Sequence, residues 1–153
     1  TGYDVRRGQD VVNPRTDHCN IMVLSNAGNL PGEEPSHPFS YARVLGIYHL
    51  NVIYTGPDTL DYQPRRMEVL WVRWFEVVDE IPAGWEAHGL DTVRFAPMTE
   101  DDAFGFVDPA DVVRGCHLVP AFARGRLHSD GIAMSSAARD ANDWKYYYVN
   151  RYV

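Results

Sequence analysis

Two long runs rich in β-branched and aromatic residues restrict this chain of 153 residues to a fold built mainly from strands. The first run covers residues 39–54. The second, residues 67–78, has apolar side chains at both alternating sets of positions, so this strand must be covered on both faces or must offer one face to a ligand. Shorter strands are predicted at residues 20–24, 93–95, 104–107, 116–122 and 144–153.

These strands predict a mostly β fold in which an antiparallel sheet bends into a small barrel, because short strands without helical cover bury their core by closing on themselves. Asp108 followed by Pro109 is typical of the N-cap and first position of a short helical turn, which is predicted over residues 110–114 and ends at Gly115. A second short helix is predicted near residues 135–140. Long loops are expected at residues 25–38, 55–66, 79–103 and 123–143.

Length and composition predict a single domain with a substantial core. Residues 1–38 are predicted to form an N-terminal arm with a short strand packed on the barrel, and residues 39–153 to form the barrel itself. The sequence begins without Met and stops inside a predicted strand, so we interpret it as part of a larger polypeptide.

The formal charge of −7 disfavours sequence-independent DNA binding, which needs a basic stripe to neutralise phosphates. A basic partner suits an acidic chain better. No apolar run has the length that a membrane span requires, and two cysteines are too few for a disulfide framework. These features favour an intracellular protein with reduced thiols and no membrane association.

Four segments, taken in order, resemble strands of the bromo-adjacent homology (BAH) family. They match its ARI-type strand, its tryptophan-containing strand, its glycine- and cysteine-containing segment and its closing aromatic strand. The four segments are residues 41–48 (YARVLGIY), 69–75 (VLWVRWF), 107–119 (VDPADVVRGCHLV) and 144–152 (WKYYYVNRY). The resemblance implies a BAH-like, SH3-like bent barrel that binds chromatin and performs no chemistry.

The BAH resemblance also implies a peptide site. Family members that bind methyl-lysine hold its ammonium group between aromatic faces by cation–π attraction, and one of these aromatic positions corresponds to Trp74. Phe39 and Tyr41 are candidates for a second wall. Glu76 stands where the family has another aromatic residue, and it is able to pair with a less methylated lysine of a histone tail or another basic peptide. The alternative is that the aromatic residues of 71–75 are ordinary core.

Two phrases, RGCHLVPAF at residues 114–122 and YYYVNRYV at residues 146–153, are similar to the C-terminal region of fungal transposon-derived proteins of the basidiomycete Plavaka-like type. This second resemblance implies a nuclear protein. Two alternative functions stay open: the domain is an accessory domain of a transposase that contacts nucleic acid, or it is a purely structural scaffold. Phosphate contacts would come from local arginines, namely Arg6, Arg7, Arg15, Arg65 and Arg66.

Catalysis is not predicted, because the chain contains no strand–Ser–helix elbow, phosphate-binding loop or GxGxxG motif. The best candidates for a nucleophile with its base are Cys116 and Ser129, each of which is next to a histidine in the sequence. The acidic residues within 101–111 are interpreted as a solvated face.

Two adjacent pairs, at residues 18–19 and 116–117, combine one histidine and one cysteine each. They raise the alternatives of a zinc site and of a Cys19–Cys116 disulfide. Neighbouring residues on a strand point to opposite faces, and the ligands of structural zinc are normally spaced two to four residues apart. We therefore predict a non-catalytic module with no metal and no cofactor.

Overall fold

The computed structural model describes residues 11–25, 37–58, 60–81 and 89–151. Within these ranges the chain forms eight strands and two short 3₁₀ turns. The strands are β1 (Asn20–Leu24), β2 (Phe39–Val52), β3 (Arg65–Val77), β4 (Thr92–Phe95), β5 (Phe104–Val107), β6 (Val112–Gly115), β7 (His117–Pro120) and β8 (Tyr147–Asn150).

All eight strands join in one antiparallel sheet with the order β6-β1-β2-β3-β4-β8-β7, and β5 pairs along β3 next to β4. The long strands β2 and β3 form the centre, and a register shift between Val44 and Gly46 increases their bend. The sheet curls into a nearly closed barrel. The prediction of a mostly β, bent antiparallel barrel with long loops and short helical turns is confirmed.

Two hydrophobic cores lie on opposite faces of the central strands, because residues that pair across neighbouring strands share a face. Tyr41 pairs with Phe75 on one face, and Ala42 pairs with Trp74 on the other. The first core consists of Met22, Tyr41, Phe75, Val93, Phe95, Cys116, Leu118, Tyr147 and Val149. The second core consists of Ile21, Val23, Ala42, Val44, Leu70, Val72 and Val107. Burial of each large apolar side chain stabilises the fold by roughly 1.5–3 kcal/mol before entropy is subtracted.

The N-terminal strand β1 lies inside the sheet, between β2 and β6. Its residues contribute to both cores, because Met22 belongs to the first and Ile21 to the second. Residues 20–24 are therefore part of the barrel, and the predicted boundary at residue 38 falls between two paired strands.

The predicted turn after β5 is present as a 3₁₀ turn, Pro109–Asp111, but it ends earlier than predicted, because residues 112–115 form strand β6. Its N-cap is Asp108, whose carboxylate accepts a hydrogen bond of 2.8 Å from the backbone N–H of Ala110. The second 3₁₀ turn is Phe122–Arg124. In the described ranges, no helix is long and apolar enough to cross a bilayer.

Residues 135–140 form turns, so the predicted second helix is absent there. Arg139 adopts a positive φ of 54°, which a right-handed helix does not allow. The buried Asp140 accepts hydrogen bonds from the backbone N–H groups of Met134 and Ser135. Burial raises the pKa of Asp140, but these N–H donors outweigh burial and hold the pKa below its ordinary value.

Candidate functional site

An open groove of about 470 Å³ lies at the mouth of the second core, where Trp74 of β3 meets the turn between β5 and β6. We call it the Trp74 groove. Its described lining residues are Val23, Leu24, Trp74, Phe106, Val107, Asp108, Ala110, Asp111, Val112 and Val113. Phe106 borders the groove, but its pairing with Trp71 places its side chain on the opposite face of the sheet.

Trp74 forms the aromatic wall of the Trp74 groove. Its indole packs against the second core and is only partly buried. Gly105 of β5 makes room for it, because a Cβ at that position would lie 2.7 Å from the indole Nε1. The indole is thus held from behind by β5 and the core while part of it faces the groove.

Two exposed carboxylates, those of Asp108 and Asp111, border the same groove on the 3₁₀ turn. Among the described residues that line the groove, none is Lys, Arg or His. Leu24 and Val113, 64% and 47% exposed, add apolar surface at the rim. An aromatic face beside two exposed carboxylates is suited to an ammonium or guanidinium group.

The other predicted members of the aromatic site do not join Trp74. Tyr41 is fully buried in the first core, and Phe39 packs against the same core on the far face of the sheet. Glu76 shares the face of Trp74, but its carboxylate accepts a 2.9 Å hydrogen bond from Nε of Arg94. The structure therefore does not bring Trp74, Tyr41, Phe39 and Glu76 around one ligand position.

Tyr41 belongs to a buried polar cluster with His37, Asp91 and Arg151. Its hydroxyl donates a 3.1 Å hydrogen bond to Asp91 and accepts one of 2.9 Å from Nε of Arg151. Burial raises the pKa of Tyr41, so the phenol keeps its proton. Arg151 also pairs with Asp91, and its guanidinium lies 5.1 Å from the ring centre of Phe39. These contacts connect the end of β8 to β2. The Tyr41 hydroxyl already donates one hydrogen bond and accepts another within the cluster.

A second buried cluster holds the centre of the sheet. The carboxylate of Asp143 accepts hydrogen bonds of 2.6 Å from Arg43 and 2.7 Å from Arg73. Both guanidinium groups lie over the ring of Phe95, at 4.4 Å and 3.9 Å from its centre. Burial lowers the pKa of Arg43, but the Asp143 carboxylate outweighs burial and leaves the pKa raised. Arg73 directly precedes Trp74, so this cluster also fixes the strand that carries the groove wall.

The arginines predicted to contact nucleic acid do not form one described basic patch. Arg65 and Arg66 are exposed at the start of β3, and Arg66 is already near Glu68 and His49. Arg15 is exposed beside β1, where Asp17 borders the same surface groove. Arg6 and Arg7 lie outside the described residues.

Both cysteines are free thiols. Burial raises the pKa of Cys19 and raises that of Cys116 to about 12. No group of three or more His, Cys, Asp or Glu side chains in the described part of the chain is arranged to hold a metal ion.

The buried thiols lead to a test of the disulfide alternative. With DTNB at pH 8, we expect Cys116 in the folded protein to react at least about a hundredfold more slowly than a free cysteine, because almost none of it is thiolate. In urea, both Cys19 and Cys116 should react quickly. Absence of reactive thiols in urea without reductant would instead reveal a disulfide, and rapid reaction of folded Cys116 would contradict its burial.

Three of the five histidines in the described ranges, His37, His49 and His128, lie beside carboxylates. His37 lies 3.1 Å from Asp91, and His128 lies 2.9 Å from Asp140. Within these ranges, no serine, threonine or cysteine side chain is hydrogen bonded to a histidine ring. These contacts hold loop residues in place and do not form a nucleophile with its base.

Comparison with known proteins yields no family. No protein-family model, no curated protein and no solved structure matches this chain. The chemistry of the barrel surface is therefore the basis for assigning a function, and the Trp74 groove combines an aromatic wall with two exposed carboxylates.

Proposed function

We propose that this domain is a non-catalytic module that binds a basic peptide segment in the Trp74 groove. The observation that carries the proposal is the partly buried indole of Trp74 beside the exposed carboxylates of Asp108 and Asp111, with no cationic residue among the described lining residues. A lysine or arginine side chain gains from both features, because its stem packs on the indole while its charge meets the carboxylates. The chain's formal charge of −7 favours the approach of such a ligand.

The sequence resemblances extend the proposal to a particular ligand and setting. The BAH-like segments favour a histone tail as the basic peptide, and the likeness to transposon-derived proteins favours a nuclear protein. Two carboxylates beside one indole suit an ammonium group that keeps N–H donors. A trimethylated ammonium has no such donors, so we propose that the groove prefers lysine with few or no methyl groups.

Isothermal titration with a histone-tail peptide tests the proposal. We expect the unmodified peptide to bind, and a peptide with acetylated lysines to bind more weakly because acetylation removes the charge. The double variant Asp108→Asn/Asp111→Asn should lower the affinity about tenfold, because each exposed charge pair contributes roughly 0.2–1 kcal/mol. Asparagine is also a good N-cap, so Asp108→Asn keeps the 3₁₀ turn capped.

A matched control separates the groove from the overall charge. Asp101→Asn/Asp102→Asn removes two exposed carboxylates from a turn outside the groove, and both double variants change the formal charge from −7 to about −5. Only the groove variant should lose affinity. Equal losses in both, or no peptide binding by the wild type, would contradict the proposal. Salt-sensitive binding to a DNA duplex in its place would favour the nucleic-acid alternative.

A further inference from the structure

The ends of β2 and β3 extend beyond the barrel as a two-stranded ribbon. β1 pairs with β2 only over residues 39–43, and β5 pairs with β3 only over residues 70–73. In the described part of the chain, no third strand pairs with residues 46–52 or 65–69. Two-stranded hairpins are at best marginally stable in water. Among the described strands, the ribbon therefore lacks the neighbours that the rest of the sheet has.

The ribbon is amphipathic. Cross-strand pairing places Tyr48 beside Val69 and Leu50 beside Met67 on one face, which we call the ribbon face. The other face carries His49 opposite Glu68 and Asn51 opposite Arg66, with Ile47 opposite Leu70 nearer the barrel. At the free end, the pair of Val52 and Arg65 adds one cation to the ribbon face. Tyr48, Leu50 and Met67 are each between 45% and 48% exposed. An apolar face of this size on an otherwise acidic chain indicates a binding surface.

The ribbon face has both a ridge and a hollow. At the barrel end it continues through Trp71 to Phe106, whose side chain is 72% exposed. At the free end, a hollow of about 630 Å³ is lined mainly by apolar residues such as Ile53 and Tyr54, and its lining also includes Asp58, Asp61 and Arg65. One surface thus carries an exposed aromatic ridge and an apolar hollow, as a self-complementary contact between identical subunits requires.

Charge also favours an uncharged occupant of the ribbon face. Residues 46–71 contain two arginines and three acidic residues, so their formal charge is 2 − 3 = −1, against −7 for the whole chain. A basic peptide gains little from so weak a charge, and two copies of the chain repel each other only weakly through the ribbon and its loop. The Trp74 groove has the opposite character, because two exposed carboxylates lie together there and no described lining residue is cationic.

We propose that the ribbon face binds a second copy of this chain. The two ribbons stack face to face in opposite directions, so the Phe106 ridge of each copy lies in the hollow at the free end of the other. The contact covers Leu50 and Met67 of both copies and gives each ribbon a second layer. Trp74 lies on the opposite face of the sheet from Phe106 and Val69, so the proposal does not depend on peptide binding.

Sedimentation velocity over a series of protein concentrations tests this inference with the 153-residue chain. We expect a monomer–dimer equilibrium for the wild type. Leu50→Asp should weaken dimerisation about a hundredfold, because it forces an unpaired carboxylate into the apolar contact. Phe106→Ala should also weaken it, and this exposed side chain can be removed without disturbing either core.

Asn51→Asp is the matched control, because it adds the same charge at the neighbouring position on the polar face. It should leave the dimer intact, and circular dichroism should show the same fold for all variants. A wild type that stays monomeric at every concentration would overturn the inference, as would equal effects of Leu50→Asp and Asn51→Asp. Asp108→Asn/Asp111→Asn should leave dimerisation unchanged, so failure of one proposal is distinguishable from failure of the other.

Discussion

Replacing Asp143 by asparagine should lower the free energy of unfolding by about 3–5 kcal/mol, the largest loss expected from any polar substitution in this chain. The Asp143 carboxylate neutralises Arg73, which is 2% exposed, and also Arg43. Asparagine keeps the shape but loses the charge, so a guanidinium group in the centre of the sheet is left without a counterion. Urea denaturation followed by circular dichroism measures the loss.

The comparison for Asp143→Asn is Glu76→Gln, which makes the same chemical change in an exposed pair. Glu76 and Arg94 lie 2.9 Å apart, but their side chains are 33% and 51% exposed. Water therefore screens most of the attraction between Glu76 and Arg94, and Glu76→Gln should lower the free energy of unfolding by less than about 1 kcal/mol. If Asp143→Asn and Glu76→Gln both lower the free energy of unfolding by less than about 1 kcal/mol, Asp143 and Arg73 are hydrated in solution and the cluster does not stabilise the sheet.

The strands were predictable because their signal is local. Residues 39–54 and 67–78 combine β-branched residues with a period of two, and the structure forms β2 and β3 there with ends shifted by up to two residues. Asp108 and Pro109 likewise predicted a capped turn from two neighbouring residues. The helix predicted near residues 135–140 failed because composition does not reveal that Arg139 adopts a positive φ.

The pairing of side chains across the barrel was not predictable, because it depends on register. Asp143 meets Arg43 across 100 residues of sequence, and no local pattern indicates that contact. Register also separates Trp74 from Tyr41, since Tyr41 pairs with Phe75 and so lies on the other face. Sequence placed Trp74 correctly on a strand, but it could not assign the neighbours of the indole.

From sequence, the carboxylates of the Trp74 groove were interpreted as part of a solvated face and not as part of a binding site. Asp108 and Asp111 belong to an acidic stretch that, taken alone, has the composition of a solvated turn. The pairing of β5 with β3 brings this turn beside Trp74, and the pairing of β6 with β1 closes the other side. A turn between two strands that pair with different partners is therefore the signal that would have located the groove.

The buried Asp143 cluster supports the strand that carries Trp74. Arg73 and Phe75, on either side of Trp74 in β3, are held in the first core by Asp143 and Phe95. Recognition sites need such a rigid support, because a loose wall lowers affinity through the entropy of ordering it. A variant that loosens the Asp143 cluster should therefore weaken the peptide binding proposed for the Trp74 groove, although the cluster does not line that groove.

Phe95→Ala should destabilise the protein by about 3–5 kcal/mol, the range for truncating a buried phenylalanine. The ring stacks on Phe75 at 4.0 Å between centres and meets the edge of Tyr147 at 5.8 Å. It also lies under the guanidinium groups of Arg43 and Arg73. Alanine leaves a cavity and removes the π face from both cations, and the loss is measured by the same urea denaturation.

Phe122→Ala is the control for Phe95→Ala, because it truncates the same side chain where 65% of it is exposed. Its edge contact with Trp144 should be worth no more than about 1.5 kcal/mol. Phe95 and Asp143 both contact Arg73, so the effects of their substitutions should not be additive. The double variant Phe95→Ala/Asp143→Asn should lose at least about 0.5 kcal/mol less unfolding free energy than the sum of the two single losses. Strict additivity, or similar losses for Phe95→Ala and Phe122→Ala, would mean that the ring of Phe95 and the carboxylate of Asp143 do not act on Arg73 together.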